Sequence, residues 1–143
     1  MMKMNINWVY RGVADISLNI NLVDMVAILL DDSGTGKTFM FQMLASYCVI
    51  NKIPYEKFDY SSENKDLEWF KYTMRNANIV IMDNADLYMT PDLFSYLKSS
   101  GKQVLISIKH IERLTSYENC GFYTVVYDGK ILKTVRENYG LAI

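Results

Sequence analysis

Hydrophobic residues alternate with polar ones at Ile16, Leu18, Ile20 and Leu22, with Ser17, Asn19 and Asn21 between them. That period of two predicts a strand with one buried face. Ile6-Asn7-Trp8-Val9-Tyr10 also reads as a strand, and Arg11-Gly12 as a turn, so the two segments are expected to form an antiparallel hairpin. The next run, Met25 to Leu30, is apolar almost throughout. It predicts a strand covered on both faces, as at the centre of a parallel sheet. From about Lys37 to Ile50 the chain is helical in character and apolar almost all round, through Phe39, Met40, Phe41, Met43, Leu44, Ala45, Tyr47 and Val49. Such a helix is expected to be buried on most sides.

Asn51-Lys52-Ile53-Pro54 ends that helix, and Tyr55 to Tyr60 reads as a strand. Ser61-Ser62 is expected to cap a helix from about Asn64 to Asn76. Its apolar stripe is Leu67, Phe70 and Met74, and Lys65, Asp66, Glu68, Lys71 and Arg75 form a solvated face. Ile79-Val80-Ile81-Met82 is a further buried strand. Thr90-Pro91-Asp92 starts a helix in three ways at once, with a capping hydroxyl, a proline at the first position and an acid in the first turn. Leu93, Phe94 and Leu97 bury its face, and Ser99-Ser100-Gly101 stops it. Gln103 to Ile108 is again a buried strand. Phe122 to Tyr127 and Lys130 to Val135 flank Asp128-Gly129, a strong hairpin signal. The order of elements predicts an α/β protein, a three-layer α/β/α sandwich around a mostly parallel sheet with flanking antiparallel hairpins. One domain spanning residues 1–143 is expected, with any ligand at the carboxyl ends of the strands.

Composition narrows the functional classes. Half of the 143 residues are hydrophobic and the net charge is −1, so a folded globular chain is expected. No Lys/Arg block provides an electrostatic footprint for nucleic acid or an anionic membrane. Cys48 and Cys120 lie far apart with no metal-ligand spacing around them, and both read as reduced packing residues. Met1-Met2-Lys3-Met4-Asn5 does not read as a signal peptide, and the Met25 to Leu30 run is too short to span a bilayer. A cytoplasmic location is the resulting expectation.

The candidate chemistry begins where the Met25 to Leu30 strand runs into Asp31-Asp32-Ser33-Gly34-Thr35-Gly36-Lys37-Thr38. Gly34 and Gly36 let the backbone curl so that successive N–H groups point inward at phosphate oxygens. The helix that starts there adds free N–H groups and the positive end of its dipole. Lys37 can reach the outer phosphates as a point charge, and the Thr38 hydroxyl can ligate Mg2+. The stretch resembles the Walker A loop of P-loop nucleoside triphosphatases. It departs from that loop at Asp31, where the motif has glycine; aspartate tolerates the left-handed backbone such a turn needs.

Ile79-Val80-Ile81-Met82-Asp83 in turn resembles the Walker B strand of the same superfamily. The interval from Lys37 leaves room for a helix, a strand and a helix and little else. The resemblance implies that Asp83 shares an Mg2+ shell with Thr38, and that Ser33, Gly34, Thr35, Gly36 and Lys37 hold the phosphates of ATP. Asn84 stands where hydrolysing families commonly carry glutamate; it can orient a water but cannot take its proton. Asp86 is the nearby carboxylate, with a surface or capping role as the alternative. At the end of the following strand, Ser107, Lys109 or His110 is expected to face the γ-phosphate, and Arg113 is the nearest arginine. The resemblance is to ATPase-type cores, AAA-type, RecA-like or minimal ABC-type. It implies an ATP-binding, magnesium-dependent ATPase acting as a switch or motor subunit, with a protein partner or homo-oligomer. A non-hydrolysing nucleotide-binding interaction protein is the second reading and a small-molecule kinase the third.

Overall fold

The computed structural model describes residues 4–11, 15–30, 36–114 and 116–137. Its elements are β1 Met4–Arg11, β2 Asp15–Leu22, β3 Val26–Leu30, α1 Lys37–Ile50, β4 Tyr55–Phe58, α2 Leu67–Thr73, β5 Ile79–Met82, α3 Pro91–Ser99, β6 Gln103–Ile108, β7 Cys120–Tyr127 and β8 Ile131–Glu137. All the strands join one sheet in the order β1-β2-β8-β7-β3-β6-β5-β4. The run β7-β3-β6-β5-β4 is parallel throughout, and the two hairpins β1–β2 and β7–β8 are antiparallel as their alternation and turn signals predict. The protein is thus mixed α/β with a mostly parallel sheet.

The apolar residues of the parallel strands sort by parity onto two faces. Ala27, Leu29, Ile79, Ile81 and Leu105 pack with Met40, Phe41, Met43, Leu44 and Cys48 of α1. Val26, Ile28, Val80, Met82, Val104 and Ile106 pack with Phe70 of α2 and Leu93, Phe94 and Leu97 of α3. Helices therefore cover both faces, which explains why β3 and β5 are apolar at every position and β6 at all but Gln103 and Ser107. On the α1 side the sheet curls. Ile6, Ile16, Leu18, Ile20 and Leu22 of the first hairpin and Leu132 of β8 join the same core as α1.

The start of β3 is locked by polar contacts. Asp24 accepts hydrogen bonds from the Tyr123 hydroxyl at 2.7 Å and from Arg136 Nε at 2.9 Å. Burial would push the Asp24 carboxyl up, but these two partners hold it below the usual carboxylate range. Gly121 passes so close that a Cβ built there would overlap the Asp24 carboxylate. β2 pairs in parallel with β8 over Ser17–Asn19 and Ile131–Lys133, and Thr134 Oγ1 extends the join by accepting from the Asn21 amide at 3.1 Å.

Three local expectations change. β4 ends at Phe58 rather than Tyr60, because Asp59 turns the chain: its Oδ1 accepts from the Ser61 amide at 2.9 Å and the Ser61 hydroxyl at 2.6 Å, in a 3-10 turn Tyr60–Ser62. Ser61 and Ser62 consequently do not cap α2. Asn64 breaks the backbone at φ 70°, and Asp66 caps instead, accepting from the Trp69 amide at 2.9 Å. The α1 helix is also less enclosed than its composition suggests, since Val49 and Ile50 in its last turn are each 64% exposed. Thr90, by contrast, caps α3 as expected, accepting from the Leu93 amide at 3.1 Å.

Candidate functional site

Ser33, Gly34 and Thr35, with Asp31 and Asp32, lie outside the described residues; the site begins at Gly36. Gly36 has φ 87° and ψ 18°, a left-handed conformation that a side chain would strain, and its carbonyl accepts the Met40 amide at 2.8 Å. Among the described residues no side chain caps α1, and no acid stands in its first turn. The helix therefore presents its positive end where an anion would be stabilised. Lys37, its first residue, is buried.

Thr38 Oγ1 donates to Asp83 Oδ2 at 3.3 Å, so the first turn of α1 meets the end of β5. Asp83 is only 6% exposed. Burial raises its carboxyl above the usual range, and the Thr38 hydrogen bond and the Lys57 charge only partly offset that. The backbone around Asp83 is held by the neighbouring strand. Its amide donates to the Phe58 carbonyl at 2.9 Å, and its carbonyl accepts the Tyr88 hydroxyl at 2.6 Å, which also reaches the Phe58 carbonyl at 3.2 Å. Burial, followed by the nearby Asp83 and Asp59 charges, pushes the Tyr88 hydroxyl far up, so it remains a donor at any working pH.

Asp59 and Lys57 were not singled out by the sequence. Lys57 pairs with Ile81 across β4 and β5, and Asp59 follows one step beyond the Phe58–Met82 pair, alongside Asp83. Their charges act on Asp83 in opposite senses. Asp59 itself is held below the usual carboxylate range, chiefly by the Ser61 hydroxyl. Sequence gives no cue to these residues or to Tyr88, because their place depends on β4 lying next to β5.

Asn84 follows Asp83 in a left-handed conformation, φ 52° and ψ 49°, and is exposed. Asp86 lies in a 3-10 turn, Ala85–Leu87, and turns toward β6: its Oδ2 accepts the Lys109 amide at 2.8 Å and its Oδ1 the His110 amide at 2.9 Å. Ser107 is buried on β6, paired with Leu29 of β3, and by parity shares the α1 face with Leu105. His110 is exposed, with Nδ1 3.3 Å from Glu112 Oε1. Arg113 ends the 3-10 turn Ile111–Arg113. A cleft of about 250 Å³ is lined by Asn84, Asp86, Leu87, Lys109 and His110. The fold thus joins Thr38 to Asp83 directly and gathers Asn84, Asp86 and His110 around one cleft.

A hydroxyl and a carboxylate one hydrogen bond apart, at the end of a strand, suit a hard divalent cation that takes its remaining ligands from water and phosphate. Among the described residues no group of His, Cys, Asp and Glu forms a protein-only metal cage. That donor set fits Mg2+ held largely by a bound nucleotide.

The chain matches no protein-family model and no curated protein. Solved structures do resemble it. The genome packaging NTPase of Sulfolobus turreted icosahedral virus 2, in complex with AMPPCP, is 13% identical, with a TM-score of 0.50 over 74% of this chain and 76% of that one. A KaiC-like protein from Pyrococcus horikoshii is also 13% identical, over 80% of this chain and 78% of its own, with a TM-score of 0.49. At such identity the first of these likenesses establishes a shared fold and nothing finer.

Proposed function

We propose that the chain is a single P-loop nucleotide-binding domain of three-layer α/β/α type that binds ATP with Mg2+ and hydrolyses it as a switch or motor subunit of a larger assembly. The observation that carries the reading is the 3.3 Å contact of Thr38 with Asp83 at the start of α1, two residues after the left-handed Gly36. Ser33, Gly34, Thr35 and Gly36 wrap the phosphates with main-chain N–H groups, and Lys37 adds a positive charge to the outer ones. Thr38 and Asp83 hold the metal. Mg2+ held there would supply positive charge to offset the negative charge that develops on the phosphate.

In hydrolysis a water oxygen bonds to the γ-phosphorus while the bond from that phosphorus to the β–γ bridging oxygen breaks, releasing ADP and phosphate. Asn84 orients the water. Asp86, with both oxygens turned to the Lys109 and His110 amides, is not the proton acceptor in this scheme. Asp59 takes that part, as the ionised carboxylate alongside Asp83. Ser107 and His110 face the terminal phosphate from the end of β6. A protein partner or a second copy of the chain completes the assembly.

Titration calorimetry with ATP and Mg2+, with phosphate release followed in the same samples, tests the proposal. Binding is expected to vanish in Lys37→Ala, and Asp59→Asn is expected to bind normally and to lower turnover about 100-fold or more. Wild-type protein that binds no nucleotide sinks the reading. Tight binding without turnover favours a non-hydrolysing nucleotide-dependent interaction protein instead, a reading supported by Asn84 in place of glutamate.

A further inference from the structure

The Asp86 carboxylate bridges two strand ends beyond the point where the sheet pairs them. The last register pair of β5 and β6 is Met82 with Ile106, yet Asp86 accepts from the amides of Lys109 at 2.8 Å and His110 at 2.9 Å. Two consecutive N–H groups on one carboxylate fix both its rotation and the direction in which the chain leaves β6, and such charge-assisted bonds are stronger than neutral ones. Asn84, Asp86 and Leu87 line the 250 Å³ cleft on the β5 side, with Lys109 and His110 on the β6 side. Asp86 spans the cleft between the two.

We infer that Asp86 is a positioning residue that sets the Lys109–His110 turn where it meets the terminal phosphate, so that the site distinguishes a nucleoside triphosphate from a diphosphate. The inference rests on the nucleotide-binding reading above. Asp86 makes no contact with phosphate in this scheme, since a carboxylate there would repel it. It works through the turn it holds. Thr38 and Asp83 meet without it, so binding of the inner phosphates is independent of the bridge.

The test is calorimetric titration of MgATP and of MgADP into wild type, Lys37→Ala, Asp86→Ala and Asp86→Asn, with thermal unfolding of each. Wild type is expected to prefer ATP. Loss of the bridge in Asp86→Ala weakens ATP by about tenfold and leaves ADP within about twofold, the size of one lost charge-assisted contact. Asp86→Asn keeps the shape and one acceptor oxygen, so it falls between, and it carries the test if the alanine variant does not fold. Equal weakening of both nucleotides would make Asp86 a general prop and overturn the inference. Wild type that binds ATP and ADP alike would overturn it too, while leaving nucleotide binding standing. A folded wild type that binds neither, and matches Lys37→Ala, would remove the nucleotide reading itself and this inference with it.

Discussion

Burial gives Asp83 a cost as well as a role. The folded state holds its proton to a higher pH than the unfolded chain does, because the charged form is desolvated. Between those two values the folded state binds more protons, so this group's contribution to stability falls as pH rises through the folded value and stays low above it. Asp83→Asn keeps an oxygen for Thr38 and removes the charge. It is therefore expected to raise the unfolding temperature of the nucleotide-free protein at neutral pH, by about 1 kcal/mol in stability, while Mg2+-dependent nucleotide binding weakens. Thermal unfolding and titration on the same variant check both halves. The meeting of Thr38 with Asp83 was legible from the two motifs, since each motif specifies residue type and spacing together. Tyr88, Lys57 and Asp59 were not. Nothing local distinguishes them until β4 is placed beside β5.

Among the elements, β3 leads toward Gly36 and α1 at one end and is anchored at the other by Asp24, Tyr123 and Arg136. The Asp24 carboxyl lies below its usual range, so its stabilising contribution is present above the unfolded carboxylate value and is lost as pH falls through the folded one. With Arg136 43% exposed and screened by solvent, Asp24→Ala is expected to cost about 2 kcal/mol in urea unfolding at pH 7, and less in acid. Gly121→Ala, which forces a methyl group into the same carboxylate, is expected to cost about 1–3 kcal/mol. The hairpins, α1 and the start of α3 were readable because alternation, turn residues and caps are local signals. The start of α2 was misplaced because Asp59 captures Ser61, a competition between two polar groups that periodicity does not register.

For the molecule as a whole, the strand order is what sequence did not disclose. β6 lies between β3 and β5, so Ser107, paired with Leu29, stands between the two motif strands only through a crossover made after both. The parity of apolar residues predicted covered strands but carries no information on which strand neighbours which. A site assembled from α1, β4, β5 and β6 exists only in the folded state, so its ligand must stabilise the whole. MgATP at 100 times its dissociation constant is expected to add about 2.7 kcal/mol to the unfolding free energy of wild type and nothing to Lys37→Ala. Scanning calorimetry over a ligand series reads that difference directly. No helix among the described residues is long and apolar enough to cross a membrane.

The parallel join of β2 to β8 bears on how the molecule is made. On a ribosome the first hairpin emerges ahead of the strand that covers its inner edge, which comes more than a hundred residues later; Asn21 meets Thr134 across 113 positions. Such distant pairing slows folding, because a long loop must close before any contact rewards it. Until Ile131–Lys133 arrive, Leu18, Ile20 and Leu22 have neither a closed sheet nor a finished core around them. The nascent chain carries an apolar strand with an open edge throughout that interval, the period in which a chaperone would bind it.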